Sequence, residues 1–258
     1  MKNNLTFLTF KALYPHQSLY KFLVFRALEP MIHYMFFAII AMSILGKEYI
    51  EFILIGNIIF YIATTNIMTF IMIFKKERNY GTLEYNVSSP TSMLELIFKR
   101  SLISVVDSFF IFLVSSTFVY LFLDFKVSLE NILYIVFNFL VILFTLISFA
   151  LIVASFGLVL RNVNLYINAV LGCLQVFCGI NFPTHLLPDF LEKASHLLPI
   201  TNGLIALRGL VNGESYSDLS HYIWYELSIG TLLLAIGVIL IKFMEKIALQ
   251  NGSLLKSN

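Results

Sequence analysis

Lys75-Lys76-Glu77-Arg78-Asn79-Tyr80-Gly81-Thr82-Leu83-Glu84 is a charged, glycine-broken insert between two apolar runs, each long enough to cross a bilayer. Five of its ten residues carry a formal charge, against 12% of the whole chain. Polarity is therefore gathered at short connections and is not spread over a water-facing surface. Hydrophobic residues make up 59% of the 258-residue chain and mean hydropathy is +0.87. A soluble globular domain carries about 25% charged residues, so composition alone puts this chain in a membrane as a single domain over 1–258.

Working outward from the insert, about 20 apolar residues are needed to cross the hydrocarbon core. Six segments qualify: 28–45, 52–74, 102–123, 132–160, 163–181 and 223–241. The expected fold class is all-α integral membrane with six transmembrane helices. The fourth segment exceeds what the core needs and is expected to tilt or protrude. The first 25 residues show no short apolar block ending in a cleavage site, the pattern of a removable signal peptide.

Lysine and arginine placement sets orientation. With the N-terminus inside, the inner segments carry thirteen basic residues, among them Lys75, Lys76, Arg78, Lys99 and Arg100. The outer segments carry four: Lys47, Lys126, Lys193 and Arg208. Both termini are expected to be cytoplasmic. Basic residues flank several spans and form no single soluble patch, which excludes nucleic acid as the expected partner.

Leu5–Phe25 mixes Phe, Leu and Tyr with Lys11, His16 and Lys21 around Pro15, a composition suited to an interfacial helix over 5–25. On the outer side, 182–213 is too apolar for a free loop and too interrupted for a span. Proline cannot continue a helix interior, so Pro183, Pro188, Pro199 and Gly213 divide it into two short helices, near 187–197 and 201–211. Irregular backbone can dip into lipid only where protein covers it, and 182–213, with Arg208, reads as a re-entrant region.

Inside the spans, each polar group costs free energy unless it faces protein or water. Asn57, Tyr61, Thr64 and Thr65 fall within about 100° of one helical face and are candidates to line a pathway, with Asn168 and Gln175 in the fifth span. Helix–helix hydrogen bonding is the competing reading for all six, as it is for Asn138 and Thr145 in the fourth. Arg26, Glu29 and His33 share a face of the first span as a charge-compensated cluster. Asp107, the deepest acid, needs either a base from another span or a cationic substrate. Cys173 and Cys178 point in different directions on one helix and read as buried thiols. Histidines 16, 33, 185, 196 and 221 are scattered, without metal-site spacing, and a membrane-embedded hydrolase is poorly supported.

Glu77-Arg-Asn-Tyr-Gly81-Thr82-Leu83-Glu84 followed by Ser-Ser-Pro90 resembles the inner-loop signature of ABC transporter type-2 permeases, the membrane subunits of bacterial ATP-driven exporters. Phe182-Pro183, Leu187-Pro188, Leu198-Pro199-Ile-Thr201, Leu207-Arg208-Gly-Leu210 and Gly213 are similar to the outer signature of the same family. The resemblance runs from about Leu5 to Glu245. It implies a homo- or heterodimer of six-span units in the bacterial inner membrane. It also implies a coupling helix within 75–100, where Glu77, Arg78, Gly81, Thr82, Leu83 and Glu84 meet a cytoplasmic ABC ATPase.

The chain has no Gly-x-x-x-x-Gly-Lys-Ser/Thr phosphate loop. ATP and Mg are accordingly expected on the partner, and no cofactor or metal on this chain. The physics of the loop agrees: Gly81 permits a sharp departure, Thr82 can cap a following helix, and the basic residues hold the helix end at an anionic surface. The spans hold few charges, which favours an apolar or amphipathic cargo: a drug, antibiotic or peptide-like molecule. The alternatives are a lipid-linked glycan exporter, though such permeases tend to carry Asn-Pro where this chain has Leu198-Pro199, and a non-transporting scaffold or immunity protein.

Overall fold

The computed structural model describes residues 19–44, 46, 49–79, 93–122, 129–157 and 163–250. Among them are eight α-helices: α1 (Leu19–Ile44), α2 (Ile50–Asn79), α3 (Met93–Phe122), α4 (Ile132–Gly157), α5 (Val163–Phe177), α6 (Asp189–Ser195), α7 (Thr201–Val211) and α8 (Tyr216–Gln250). Five of them, α1, α2, α3, α4 and α8, are long and apolar enough to cross a membrane. Such helices suit lipid because every backbone polar group is satisfied within the segment.

The fifth expected span, 163–181, is helical over α5 among the described residues. Its helix α5 ends at Phe177, four residues before the expected limit, and residues 158–162 directly ahead of Val163 lie outside the described ones. The backbone then leaves helical geometry, and Gly179 takes a positive φ of 71°, a conformation glycine adopts without steric cost.

The first helix also departs from expectation. It runs through Pro30 and extends back to Leu19, so 19–25 are the opening turns of the first spanning helix. The rest of the expected interfacial helix, 5–18, lies outside the described residues.

Packing is centred on α2, the most enclosed of the five long helices, with α1 and α8 the most open. α2 lies against α1, α3 and α4, while α8 packs most extensively along α4. The core is aliphatic, built from residues such as Leu54, Ile59 and Ile62 of α2 with Ile142, Leu146 and Leu151 of α4. Polar side chains tie the long helices together inside it. Asn66 of α2 donates to Ser108 Oγ at 2.7 Å and accepts from Ser104 Oγ at 2.5 Å. Tyr34 of α1 meets Ser115 of α3 at 3.0 Å.

Between α5 and α8 the prolines act as helix starters. Pro183 precedes a 3₁₀ turn at Thr184–Leu186, and Pro188 immediately precedes α6. Its carbonyl accepts from the N–H groups of Leu191 and Glu192. Pro199 sits two residues before α7, which the sequence placed at the same residues.

Candidate functional site

Helix α7 organises the most unusual chemistry in the fold. Nine of its eleven residues are buried, so the free N–H and C=O groups at its ends are shielded from water and need protein partners.

At the N-terminus the partner is Glu226 of α8, itself fully buried. Its carboxylate accepts from the backbone N–H of Ile200 at 2.7 Å and of Gly203 at 3.1 Å. A carboxylate there also meets the positive end of the helix dipole. Ile200 holds a φ of 71°, costly for a β-branched residue; complete burial of its side chain and the Glu226 contact hold it there.

At the C-terminus Asn131 donates to Leu210 O and Glu214 O, both at 2.9 Å. In the middle, Asn138 of α4 donates to Gly203 O at 2.8 Å, and Thr145 donates to Glu226 O at 3.2 Å.

Arg208 projects from α7 toward α2. Its guanidinium donates to Gly179 O (2.8 Å), Phe52 O (2.9 Å) and Ile180 O (3.1 Å). It also lies over the Phe52 ring, 3.4 Å from the centroid, a cation–π arrangement. Burial draws the guanidinium down to about 9, leaving it charged at neutral pH. One planar fork thus gathers three carbonyls from two segments, which a lysine ammonium cannot match. Asn57 adds a 3.3 Å bond from its Nδ2 to Asn181 Oδ1 and a 2.8 Å bond to Ile53 O.

The other expected pathway residues are distributed as follows. On α2, Thr65 is buried and Tyr61 half-buried, with the Tyr61 ring 5.9 Å from His33 and 6.3 Å from Tyr34. Half-buried Thr64 bonds back to Phe60 O at 2.9 Å. Asn168 is exposed on α5 and Gln175 half-buried. Asp107 of α3 takes its base from the first span: Arg26 Nε donates to Oδ1 at 2.9 Å and Oδ2 at 3.1 Å, and Nη2 also donates to Oδ2. Cys178 is buried but Cys173 is exposed, so only one of the two thiols sits inside the protein; both are free.

Of the expected coupling residues, Glu77 and Arg78 fall on the last turns of α2. Their side chains, and all of Gly81, Thr82, Leu83 and Glu84, lie outside the described residues.

An apolar cleft of about 850 Å³ opens between α2, α3, α4 and α7. Ile55, Ile58, Phe112, Ile135, Leu207 and Val211 form its walls. None of the six expected pathway residues is in the wall.

The expectations passed over Glu226, Asn131 and Asn202. The signal for Glu226 was available, since a lone acid inside the last apolar run demands a partner. Asn202, which bonds His196 O at 2.8 Å, had no comparable sign.

A family model described as ABC-2 type transporter matches residues 16–211, from ahead of α1 to the last residue of α7. None of the curated proteins compared with the chain matches it.

Proposed function

We propose, from the premise that the chain belongs to the ABC-2 type transporter family and is the membrane permease component of such a transporter, that it serves an ATP-driven exporter of the bacterial cell membrane. ATP and Mg bind a separate cytoplasmic ATPase in this reading. A second copy of the permease, or a related one, completes the pathway, and both termini face the cytoplasm. The cargo is apolar or amphipathic, of the drug, antibiotic or peptide-like kind.

The observation that carries the reading is a pair of helix extensions around the charged insert. Helix α2 continues past its apolar run through Lys75, Lys76, Glu77 and Arg78 to Asn79, and α3 begins at Met93, ahead of Lys99 and Arg100. Two rods thus leave the membrane on the same side and flank the loop expected to meet the ATPase. Movement imposed there is carried along α2 to Phe52, whose carbonyl Arg208 binds. Nucleotide can drive such a change only through its differential affinity for the two states.

The test is purification of the native complex in mild detergent, with mass spectrometry of its partners, for the wild type and a Gly81→Pro/Glu84→Lys variant. Recovery of an ABC ATPase with the wild type and its loss from the variant is expected. An intact membrane assembly with no ATPase overturns the exporter reading. Thr64→Leu, which should change export but not assembly, tests whether the α2 polar face lines the route.

A further inference from the structure

The wall of the cleft beneath α7 contains none of the expected pathway residues, and its chemistry and position specify an occupant. Its described lining residues carry no charge, and the polar ones are Ser116, Thr117 and Tyr120. The volume lies in the range that holds a small ligand. At its mouth stand Leu113, Thr117, Tyr120, Leu121, Ile132 and Val136, all exposed.

Depth is set by aromatic residues. Exposed Tyr49, Tyr120, Tyr134, Trp224 and Tyr225 stand at the same end of four long helices. Tyrosine and tryptophan gather at the membrane–water interface, so this belt marks the level of one leaflet's headgroups. Tyr120 belongs to both the belt and the mouth, with Ser116 and Phe112 one and two turns deeper on α3. The cleft therefore opens sideways, just below the headgroups, where lipid chains lie.

We propose that the cleft holds one hydrocarbon chain of a bilayer lipid from that leaflet, inserted between Leu113 and Val136 until it touches α7. The chain contacts Leu207 and Val211 of α7 together with Ile55 and Ile58 of α2. These are the two helices that Arg208 joins, so the lipid supports the seat of α7 on α2. The site is independent of the ATPase and of the direction of transport.

The experiment uses the wild-type protein in nanodiscs made with a phosphatidylcholine bearing a photoreactive diazirine on one acyl chain, followed by peptide mass spectrometry. Adducts are expected on Leu207 or Val211 and on Ile55 or Ile58, besides those on outward positions such as Leu232 of α8. Val136→Phe or Thr117→Phe, each filling the mouth, removes the inner adducts and leaves Leu232 labelled; two variants guard against misfolding of one. Labelling confined to outward positions overturns the proposal. So does labelling of Leu232 with none anywhere in the cleft or at its mouth, which means that protein, such as a second copy of this chain, covers it.

Discussion

The Glu226 carboxylate holds the Ile200 backbone N–H at 2.7 Å, so an acid in the last long helix closes the open end of a buried helix 26 residues earlier. Replacing Glu226 with Gln keeps one good acceptor and loses the charge; Leu loses both acceptors. A buried donor left unpaired costs about 1–3 kcal/mol. Thermal unfolding in detergent should therefore rank wild type above Glu226→Gln and Glu226→Gln above Glu226→Leu. Equal stability of all three would show that the cap contributes nothing.

Arg208 should resist substitution even by lysine. Arg208→Lys keeps the charge but loses the planar fork that reaches Gly179, Ile180 and Phe52 together. Hydrogen exchange at 178–181 is expected to rise in Arg208→Lys and further in Arg208→Ala, while α8 beyond Leu232 keeps its protection. No change in either variant would dismiss the latch.

The Arg26–Asp107 pair ties α1 to α3, with Glu29 and Tyr61 close by. Breaking a buried pair by removing one partner costs about 3–5 kcal/mol, whereas apolar replacement of both is often tolerated. Arg26→Leu and Asp107→Leu should each destabilise strongly, and the double variant by less than their sum. Strict additivity in this double-mutant cycle would mean that the two groups are not energetically coupled.

Two glycines make a contrasting pair. A Cβ on Gly56 would collide with the Ile180 carbonyl oxygen and stand 2.8 Å from Arg208 Nη2, whereas one on Gly172 meets nothing within 4 Å. Gly56→Ala should lower the melting temperature and loosen α7 on α2. Gly172→Ala, in a helix interior, should gain up to about 1 kcal/mol from propensity. A harmless Gly56→Ala would argue against the close approach of α2 to 179–181.

The long apolar runs were legible because lipid demands an uninterrupted apolar length, and α2, α3 and α4 begin or end within a turn or two of the expected limits on their membrane portions. Helix α7 was legible from Pro199 and Gly213, which punctuate both ends. The N-terminal extent of α1 was not: the expected span began at 28, because Lys21, Arg26 and the mixed aromatic and basic composition of 5–25 suggested an interfacial segment, yet the helix begins at Leu19. The C-terminal end of α5 at Phe177 was missed because composition does not register where Gly179 turns the backbone.

The sequence by itself determined an all-helical membrane protein, the order of its five long apolar helices and the charged stretch between the second and third. These follow from local quantities, hydropathy, charge and backbone punctuation, that act over a few turns of chain. Only the tertiary structure decided which polar groups meet. Arg26 finds Asp107 across 81 residues and Arg208 finds Phe52 O across 156. Such partners are selected by packing: a buried donor or acceptor must find whatever the neighbouring helix presents, and no local pattern in the chain records that neighbour.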